Sequence, residues 1–446
     1  MVTPHEPSKH RARGRLILIL LFTALAVLGV FVLVVWLNRN PLFNARSEAA
    51  EARQLADVAR TRSLTDEEFD RALDLLDAVT PAAQISAVTV LESEAVRSPD
   101  RRERVIAALE GVQRIGPAEV KEAAGIALGR LLPPAAEWQL QAVGTDAKFR
   151  GLCVVSGNVV WASGTGGTVV RTADGGATWN VFAVPGASEL DFRDVEAFGP
   201  DVACVLSAGD GEKSRIYKTT DGGKSWKLQF TNTDKAGFFD AIAFWDETHG
   251  IALGDPVGGK FQLIHTTDGK TWQPLKADLP PALADEGAFA ASGTCLITHG
   301  EMGAWFVTGG PNGARVFHST DRGQTWAVQA CPLAGGTKSA GVFGIAFRDG
   351  ANGVIVGGDY TKPGAEGVNG AVTADGGKTW VVAKLPFRSG VTWAGDRWVT
   401  VGTSGADVST DGKVWRPLDG GNFNSVGFAG GTGWAVGPAG RVAKWR

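Results

Sequence analysis

The eight residues from Thr219 to Trp226 read Thr-Thr-Asp-Gly-Gly-Lys-Ser-Trp, and five near-copies of this motif occur between Thr172 and Trp415. Successive aspartates of the six copies are 47, 47, 53, 54 and 36 residues apart. Repeats of this period, with alternating apolar residues and glycine-rich turns between them, are typical of β-propeller blades of four strands. The aspartates and tryptophans of these Asp boxes are Asp174, Trp179, Asp221, Trp226, Asp268, Trp272, Asp321, Trp326, Asp375, Trp380, Asp411 and Trp415.

Each Asp box has the composition of a hairpin clamp. The carboxylate is expected to accept hydrogen bonds from backbone amides two residues further on, and the following glycine supplies a positive φ. The tryptophan then opens the next strand and packs its ring against the neighbouring sheet. One box per blade spreads the six carboxylates around a ring, so we expect a structural role and neither catalysis nor calcium binding.

The number of blades follows from seven segments that resemble the start of an inner strand. With Trp138 to Val143 expected to complete the last blade and close the ring, the sequence predicts an all-β, seven-bladed β-propeller over residues 138–446. Closure removes the exposed strand edges that an open ring would leave. The seven segments begin at Phe149, Phe192, Phe238, Gly287, Val342, Arg388 and Phe423.

The composition changes sharply ahead of the propeller. Of the 60 glycines 54, and of the 15 tryptophans 14, lie at or after Trp138, which places a domain boundary near residues 133–138. Residues 38–134 are predicted to be helical, with a capping box at Thr65 to Glu68 and a proline in the first turn of the last helix. This region is either a stalk or a helical repeat-like docking surface. The formal net charge of −3 gives no indication of nucleic-acid binding.

The N-terminus has the pattern of a membrane anchor. Leu16 to Leu37 is an uncharged run of 22 residues, long enough as a helix to cross a bilayer core of about 30 Å. Basic residues are concentrated in residues 1–15, which predicts a cytoplasmic tail and an extracytoplasmic propeller, periplasmic or lumenal. A cleaved signal peptide is the alternative, but no small-residue cleavage site follows the apolar run.

Three further phrases carry a resemblance to a known family. Phe192 to Phe198 (FRDVEAF), Ala241 to Pro256 (AIAFWDETHGIALGDP) and Gly353 to Tyr360 (GVIVGGDY), together with the Asp boxes, resemble the photosystem II stability/assembly factor propellers. The resemblance covers residues 138–446. It implies a non-catalytic factor that helps to assemble a membrane protein complex by binding polypeptide subunits. The helical region ahead of the propeller departs from the family, and nothing in the chain identifies a photosynthetic host.

Blade topology indicates where a partner would bind. The loops that lead into the inner strands open on one end of the ring, opposite to the Asp boxes. Arginines that converge there from several blades could clamp carboxylates or phosphates of a partner. The candidate partner-binding residues at this end are Arg150, Arg193, Asp194, Asp240, Asp255, Lys338, Asp359, Arg388 and Asn424.

A glycan-binding or sialidase-like glycoside hydrolase propeller is the alternative function, because such proteins also carry Asp boxes. A retaining glycosidase needs two carboxyl groups about 5 Å apart, for which Asp194, Asp240, Glu286 and Asp359 are the candidates. Of the two tyrosines, Tyr217 is expected on an outer part of its blade and Tyr360 near the rim.

Other chemistry has little support in the sequence. The six histidines show no metal-ligand spacing, and no phosphate loop or dinucleotide fingerprint is present, so we expect no cofactor and no metal. The spacing of the cysteines selects no disulfide pairing, and buried free thiols are at least as compatible with their positions. The cysteines are Cys153, Cys204, Cys295 and Cys331.

Overall fold

The computed structural model describes residues 41–131, 138–333, 335–418 and 421–446. The chain divides into two compact units between Ala135 and Ala136. The expected cytoplasmic tail and the expected transmembrane span from Leu16 to Leu37 lie outside the described residues. Among the helices that are described, none is both long and apolar enough to cross a bilayer.

The N-terminal unit is helical, as the sequence predicts. Thr65 and Glu68 form the expected capping box: Thr65 Oγ1 accepts a bond from the Glu68 amide at 3.3 Å, and Glu68 Oε2 one from the Thr65 amide at 2.8 Å. Pro117, expected in the first turn of the last helix, directly precedes that helix, and its carbonyl accepts the Lys121 amide at 2.8 Å. The helices are α1 (Pro41–Thr61), α2 (Asp66–Asp74), a 3-10 turn (Leu75–Asp77), α3 (Pro81–Arg97), α4 (Arg102–Ile115) and α5 (Ala118–Leu131).

One buried carboxylate organises the helical unit. Glu94 of α3 is 0% exposed and lies beside the apolar core of Phe69, Leu91 and Ile106. Its oxygens accept hydrogen bonds from the Leu64 amide at 2.9 Å and from Arg101 at 2.7 Å. Because a buried charge is tolerated only when it is paired and hydrogen-bonded, this network fixes the connection between α1 and α2 against α3.

The C-terminal unit consists of seven antiparallel four-stranded sheets, which confirms the predicted seven-bladed propeller. The first three blades contain β2 (Phe149–Val154), β3 (Val160–Gly164), β4 (Thr168–Thr172), β5 (Asn180–Ala183), β6 (Phe192–Ala197), β7 (Ala203–Ser207), β8 (Arg215–Thr219), β9 (Lys227–Thr231), β10 (Phe239–Phe244), β11 (Gly250–Val257), β12 (Lys260–Thr266) and β13 (Gln273–Pro274). The remaining blades contain β14 (Leu296–His299), β15 (Gly303–Val307), β16 (Ala314–Ser319), β17 (Ala327–Cys331), β18 (Ala340–Phe347), β19 (Gly353–Asp359), β20 (Gly367–Thr373), β21 (Val381–Leu385), β22 (Gly390–Trp393), β23 (Trp398–Gly402), β24 (Gly405–Ser409), β25 (Arg416–Pro417), β26 (Ser425–Ala429), β27 (Thr432–Val436) and β28 (Val442–Trp445).

The ring closes through the strand that precedes the first blade. Strand β1 (Trp138–Gln141) pairs antiparallel with β28, in register from Trp138 opposite Trp445 to Gln141 opposite Val442. The seventh blade therefore joins the two ends of the domain. This closure was predicted from the unassigned segment Trp138 to Val143, and it supplies the fourth strand of the last blade.

The first strands of the blades line the centre of the ring and contact one another in sequence order, from β2 through β26 and back to β2. Phenylalanines at their starts fill the space between blades: Phe149 and Phe192 are 0% exposed and Phe239 is 2% exposed. The side chains of successive blades thus meet at one end of the ring.

The fourth blade starts later than the sequence predicts. Its first strand begins at Leu296, whereas Gly287 forms only a single bridge to Gly309, which also bridges Gly341. After Gly287 the chain passes through a turn in which the Ser292 and Thr294 hydroxyls lie 2.8 Å apart. This turn interrupts the pairing of the blade's first strand. Residues 287–295 therefore precede β14, and Ala288 to Ala291 line the open end of the ring.

Candidate functional site

The Asp boxes lie between the third and fourth strands of six blades, at the end of the ring opposite to the starts of the first strands. Every box is built around the Thr or Ser two residues before the aspartate. This hydroxyl donates to the aspartate Oδ1 at 2.8 to 3.1 Å and accepts the amide of a turn glycine. The hydroxyl was not singled out from the sequence, although Thr or Ser occupies that position in all six copies.

The amides that the carboxylates accept differ from the expectation in four boxes. Asp268 and Asp411 accept the amides two and three residues on, close to the expected geometry. The four longer boxes accept the amide four residues on, as Asp174 does from Thr178 at 2.9 Å. The extra residue in their turn moves the inward-pointing amide further along the chain.

These contacts satisfy the box carboxylates. Hydrogen bonds from Thr178 and Ser225 hold the pKa values of Asp174 and Asp221 down to about 2. The tryptophans close the turns: the indole nitrogens of Trp226, Trp326 and Trp380 donate to glycine carbonyls of their own boxes at 2.9 to 3.1 Å.

At the opposite end of the ring, the starts of the first strands surround an open cavity of about 430 Å³, here called the mouth cavity. Every blade contributes at least one side chain to it. Six of the nine residues predicted for partner binding line the cavity, namely Arg150, Arg193, Asp240, Asp255, Lys338 and Asn424.

Two arginines from neighbouring blades lie side by side in the mouth cavity. Arg193 Nε donates to Asp191 Oδ2 at 2.8 Å. Burial, followed by the charge of Arg193, lowers the pKa of Arg150. Among the described residues the Arg150 Nε has no hydrogen-bond partner. The pair therefore keeps unused donors next to the cavity, as a site that receives an anionic or carbonyl group would.

Two aspartates, Asp240 and Asp255, line the same cavity as the arginines. Asp255 Oδ1 accepts the Ala288 amide at 2.9 Å, and burial raises the pKa of Asp255 to about 6. Asp240 is 1% exposed, and burial followed by the charge of Asp255 raises its pKa well above the usual range.

Aromatic rings form a third part of the lining, the aromatic wall. Phe289 and Phe343 stack with ring centroids 3.8 Å apart, and Phe387 meets Phe343 edge-on at 4.9 Å. Tyr360 is 52% exposed at the outer edge of the wall. Except for Tyr360, these residues were not predicted, although Phe343 and Phe387 lie at or next to the predicted inner-strand starts.

Three predicted partner-binding residues do not line the mouth cavity. Arg388 is 2% exposed and points into its blade, where it pairs with Asp407 at 2.5 Å. Asp194 is 4% exposed and accepts the amides of Val195 and Ile242, which ties the second blade to the third. The prediction that Arg388 belongs to the rim was wrong, because a carboxylate in the adjacent strand satisfies its charge.

Asp359, the third of these residues, closes its own loop. Its Oδ1 accepts the Thr361 amide at 3.0 Å and the Thr361 hydroxyl at 2.7 Å.

The residues named for hydrolase chemistry are mostly engaged elsewhere. Glu286 is 6% exposed and forms an ion pair with Arg315 while accepting the Thr308 hydroxyl at 2.6 Å. Tyr217 is 5% exposed in the apolar core between two blades. Of the four candidate acids, Asp240 is the one that lines the mouth cavity.

The cysteines and metal-ligand types add no site within the described residues. All four cysteines are free thiols. In the described parts of the chain, no group of three or more His, Cys, Asp or Glu side chains is placed to hold a metal ion.

Comparison with known proteins supports the resemblance read from the sequence. No family model matches the chain. The chain is 27% identical over 192 residues, 43% of its length, to the photosystem II assembly protein Ycf48 of Synechococcus sp. (strain JA-2-3B'a(2-13)). The match spans about half of that relative, 48% of its length.

Two solved structures share the propeller fold. The structure described as YCF48 bound to D1 peptide superimposes with a TM-score of 0.51 at 16% identity, covering 69% of this chain and 94% of that one. YCF48 from Cyanidioschyzon merolae gives a TM-score of 0.50 at 18% identity, covering 70% of this chain and 99% of that one. The similarity to photosystem II assembly factor propellers is thereby confirmed.

Proposed function

We propose that this protein is a non-catalytic assembly factor for a membrane protein complex and that it holds a polypeptide segment of that complex in the mouth cavity. The observation that carries the proposal is the combined lining of the cavity. Arg150 and Arg193 offer charged donors, and the aromatic wall beside them offers apolar surface. Aromatic and arginine side chains are the types that dominate binding energy at protein interfaces.

The relatives support the same reading. One is named as a photosystem II assembly protein, and a solved structure with the same fold is described as bound to a D1 peptide. A polypeptide ligand also fits an open cavity to which all seven blades contribute, because an extended segment can place several side chains in it at once.

Recovery of partners from native membranes tests the proposal. The double variant Arg150→Gln with Arg193→Gln removes both charges, and the matched control Lys224→Gln with Lys270→Gln removes two charges from exposed positions in the Asp boxes. Truncating buried charge pairs at an interface costs about 2 kcal/mol or more. We therefore expect crosslinked recovery of the partner polypeptides to fall more than tenfold in the arginine variant and to remain unchanged in the control.

Raised salt should weaken recovery by the wild-type protein, since screening acts on the partly exposed pairs. Wild-type recovery by an arginine variant of normal melting temperature would contradict the proposal, and turnover of a glycan panel would favour the hydrolase alternative.

We further propose that Leu16 to Leu37 anchors the chain in a membrane, with residues 1–15 in the cytoplasm and the propeller outside it. The proposal rests on the uncharged run and on the basic residues that precede it. Protease added to intact spheroplasts should then digest the propeller. Protection of the propeller under these conditions, with digestion after lysis, would show the opposite orientation.

A further inference from the structure

Besides the Arg150 Nε, the mouth cavity contains one carboxylate oxygen that has no hydrogen-bond partner among the described residues. Asp240 lines the cavity and is 1% exposed, yet its Oδ2 has no hydrogen-bond partner among the described residues. Leaving a buried acceptor unpaired is costly, so such an atom indicates strain or a place where a water, an ion or a ligand group binds. Asp255, which lines the same cavity, repels it and so increases the cost.

The surroundings of the two carboxylates do not neutralise them. Asp240 faces Asp255, the Ala290 amide and the more distant charge of Arg193, which is already hydrogen-bonded to Asp191. Asp255 is supported by the Ala288 amide. Of the other two cations of the cavity, Arg150 interacts with the charges of Arg193 and Asp191, and Lys338 forms an ion pair with Asp285 at 2.9 Å.

We propose that Asp240 and Asp255 form a subsite for a positively charged side chain of the bound polypeptide. The inference rests on the proposed function and defines the chemistry of the ligand. A lysine ammonium group carries several donors and a compact charge, so it supplies the missing partner of Asp240 and relieves the repulsion between the two acids. A neutral donor would provide a hydrogen bond to Asp240 but would not relieve the repulsion between the two acids.

Other occupants fit the geometry less well. A divalent cation such as Ca²⁺ takes six to eight oxygen ligands, and among the described residues no group of three or more Asp, Glu, His or Cys side chains is placed to hold a metal ion. With Arg150 and Arg193 in the same cavity, the preferred segment carries a basic and an acidic residue together with an apolar one that contacts the aromatic wall.

Capped heptapeptides that contain one Glu, one Phe and one Lys, in varied order and spacing, test the subsite by calorimetry with the full-length protein. Each peptide has a twin in which norleucine replaces Lys, and a third set carries a free N-terminus but no Lys. We expect at least one lysine peptide to bind more than tenfold more tightly than its twin at pH 7.5. If the peptides with a free N-terminus and no Lys bind more tightly than the capped norleucine twins, while the lysine peptides do not, the subsite does not recognise a lysine side chain.

The variant Asp255→Asn keeps an acceptor for the Ala288 amide and removes the charge. In this variant, and in the wild-type protein at pH 5, the advantage of the lysine peptide should fall below threefold. Because an ammonium group stabilises the ionised acids, lysine peptides should also release protons on binding near pH 6, seen as a dependence of the heat on the buffer. Their norleucine twins should release none.

The outcomes separate this inference from the function it rests on. If the twins bind equally well, or no lysine peptide binds, the subsite is overturned. The proposed function then still stands as long as the arginine variant loses its partners from membranes. If that variant keeps its partners as well, both are overturned.

Discussion

The same residue, aspartate, occurs in opposite electrostatic states at the two ends of this propeller. At the Asp-box end, hydrogen bonds from the turn hold the pKa of Asp174 at about 2. At the mouth cavity, burial raises the pKa of Asp255 to about 6. The box carboxylates accept hydrogen bonds from their own turns. In the mouth cavity, by contrast, one carboxylate and one arginine each have an atom that no described residue pairs.

A charged group with a structural role and one with a binding role differ in where their hydrogen-bond partners lie. A box aspartate accepts bonds from the same turn, so its contribution is complete once the hairpin has formed. Asp240 and Arg150 each retain an atom without a partner among the described residues. Groups that cost stability without local compensation are concentrated at binding sites.

The largest expected effect concerns Arg388, which was assigned to the rim from the sequence and lies in the interior. Arg388→Met leaves Asp407 buried and unpaired, and removing one partner of a buried pair costs about 3 to 5 kcal/mol. Urea unfolding should show this loss. The double variant Arg388→Met with Asp407→Leu should regain most of it, because burial raises the pKa of Asp407 even with Arg388 beside it.

Ordinary surface substitutions change the free energy of unfolding by no more than about 0.5 kcal/mol. A loss this small for Arg388→Met would mean that Arg388 is a solvated rim residue and not part of a buried ion pair.

The second-largest loss of stability is expected when an Asp-box aspartate is replaced, and it should be seen only at pH values where the carboxylate is ionised. Asp221→Ala removes the acceptor of the Ser225 amide and hydroxyl, which lie 2.9 and 2.6 Å from it, and should lower the melting temperature at pH 7. The lowered pKa means that the box carboxylate stabilises the fold above its unfolded value of 3.8 and loses this contribution as pH falls toward 2. The difference between variant and wild type should therefore shrink across that window, with partner recovery unchanged.

Asp255→Asn should act in the opposite direction and by a smaller amount. In the unfolded chain Asp255 ionises near its ordinary value of 3.8 and in the folded chain near 6, so stability is lost as pH rises between these values. The asparagine variant avoids this loss and should be more stable by on the order of 2 kcal/mol at pH 7.5. At pH 3.5 the two proteins should unfold together, and a variant destabilised at pH 7.5 would contradict the assignment of Asp255 as a costly, functional acid.

The sequence predicted the fold well because the features that determine it are local and repeated. The box spacing fixed the blades, and the segment before Phe149 was predicted to close the ring because the seventh blade lacked a strand. The start of the fourth blade was placed wrongly at Gly287, since an irregular segment between strands leaves no periodic pattern.

The mouth cavity could be predicted only in part. Strand topology located its rim, which brought Arg150, Arg193, Asp240 and Asp255 together. It could not show which rim side chains turn inward, because that depends on partners distant in sequence: Asp194 meets Ile242, 48 residues on. The aromatic wall was missed for the same reason, as Phe289 and Phe343 come from different blades.

The central claim is that the mouth cavity, and not the Asp-box end, receives the polypeptide partner. A photo-crosslinking phenylalanine analogue can replace Tyr360, which is 52% exposed at the aromatic wall, or Lys224, which is exposed in an Asp box. After irradiation in native membranes, we predict that the analogue at Tyr360 gives a discrete adduct with a membrane-complex polypeptide, at least tenfold more abundant than any adduct from position 224. Equal yields from the two positions, or an adduct from position 224 alone, would contradict the claim.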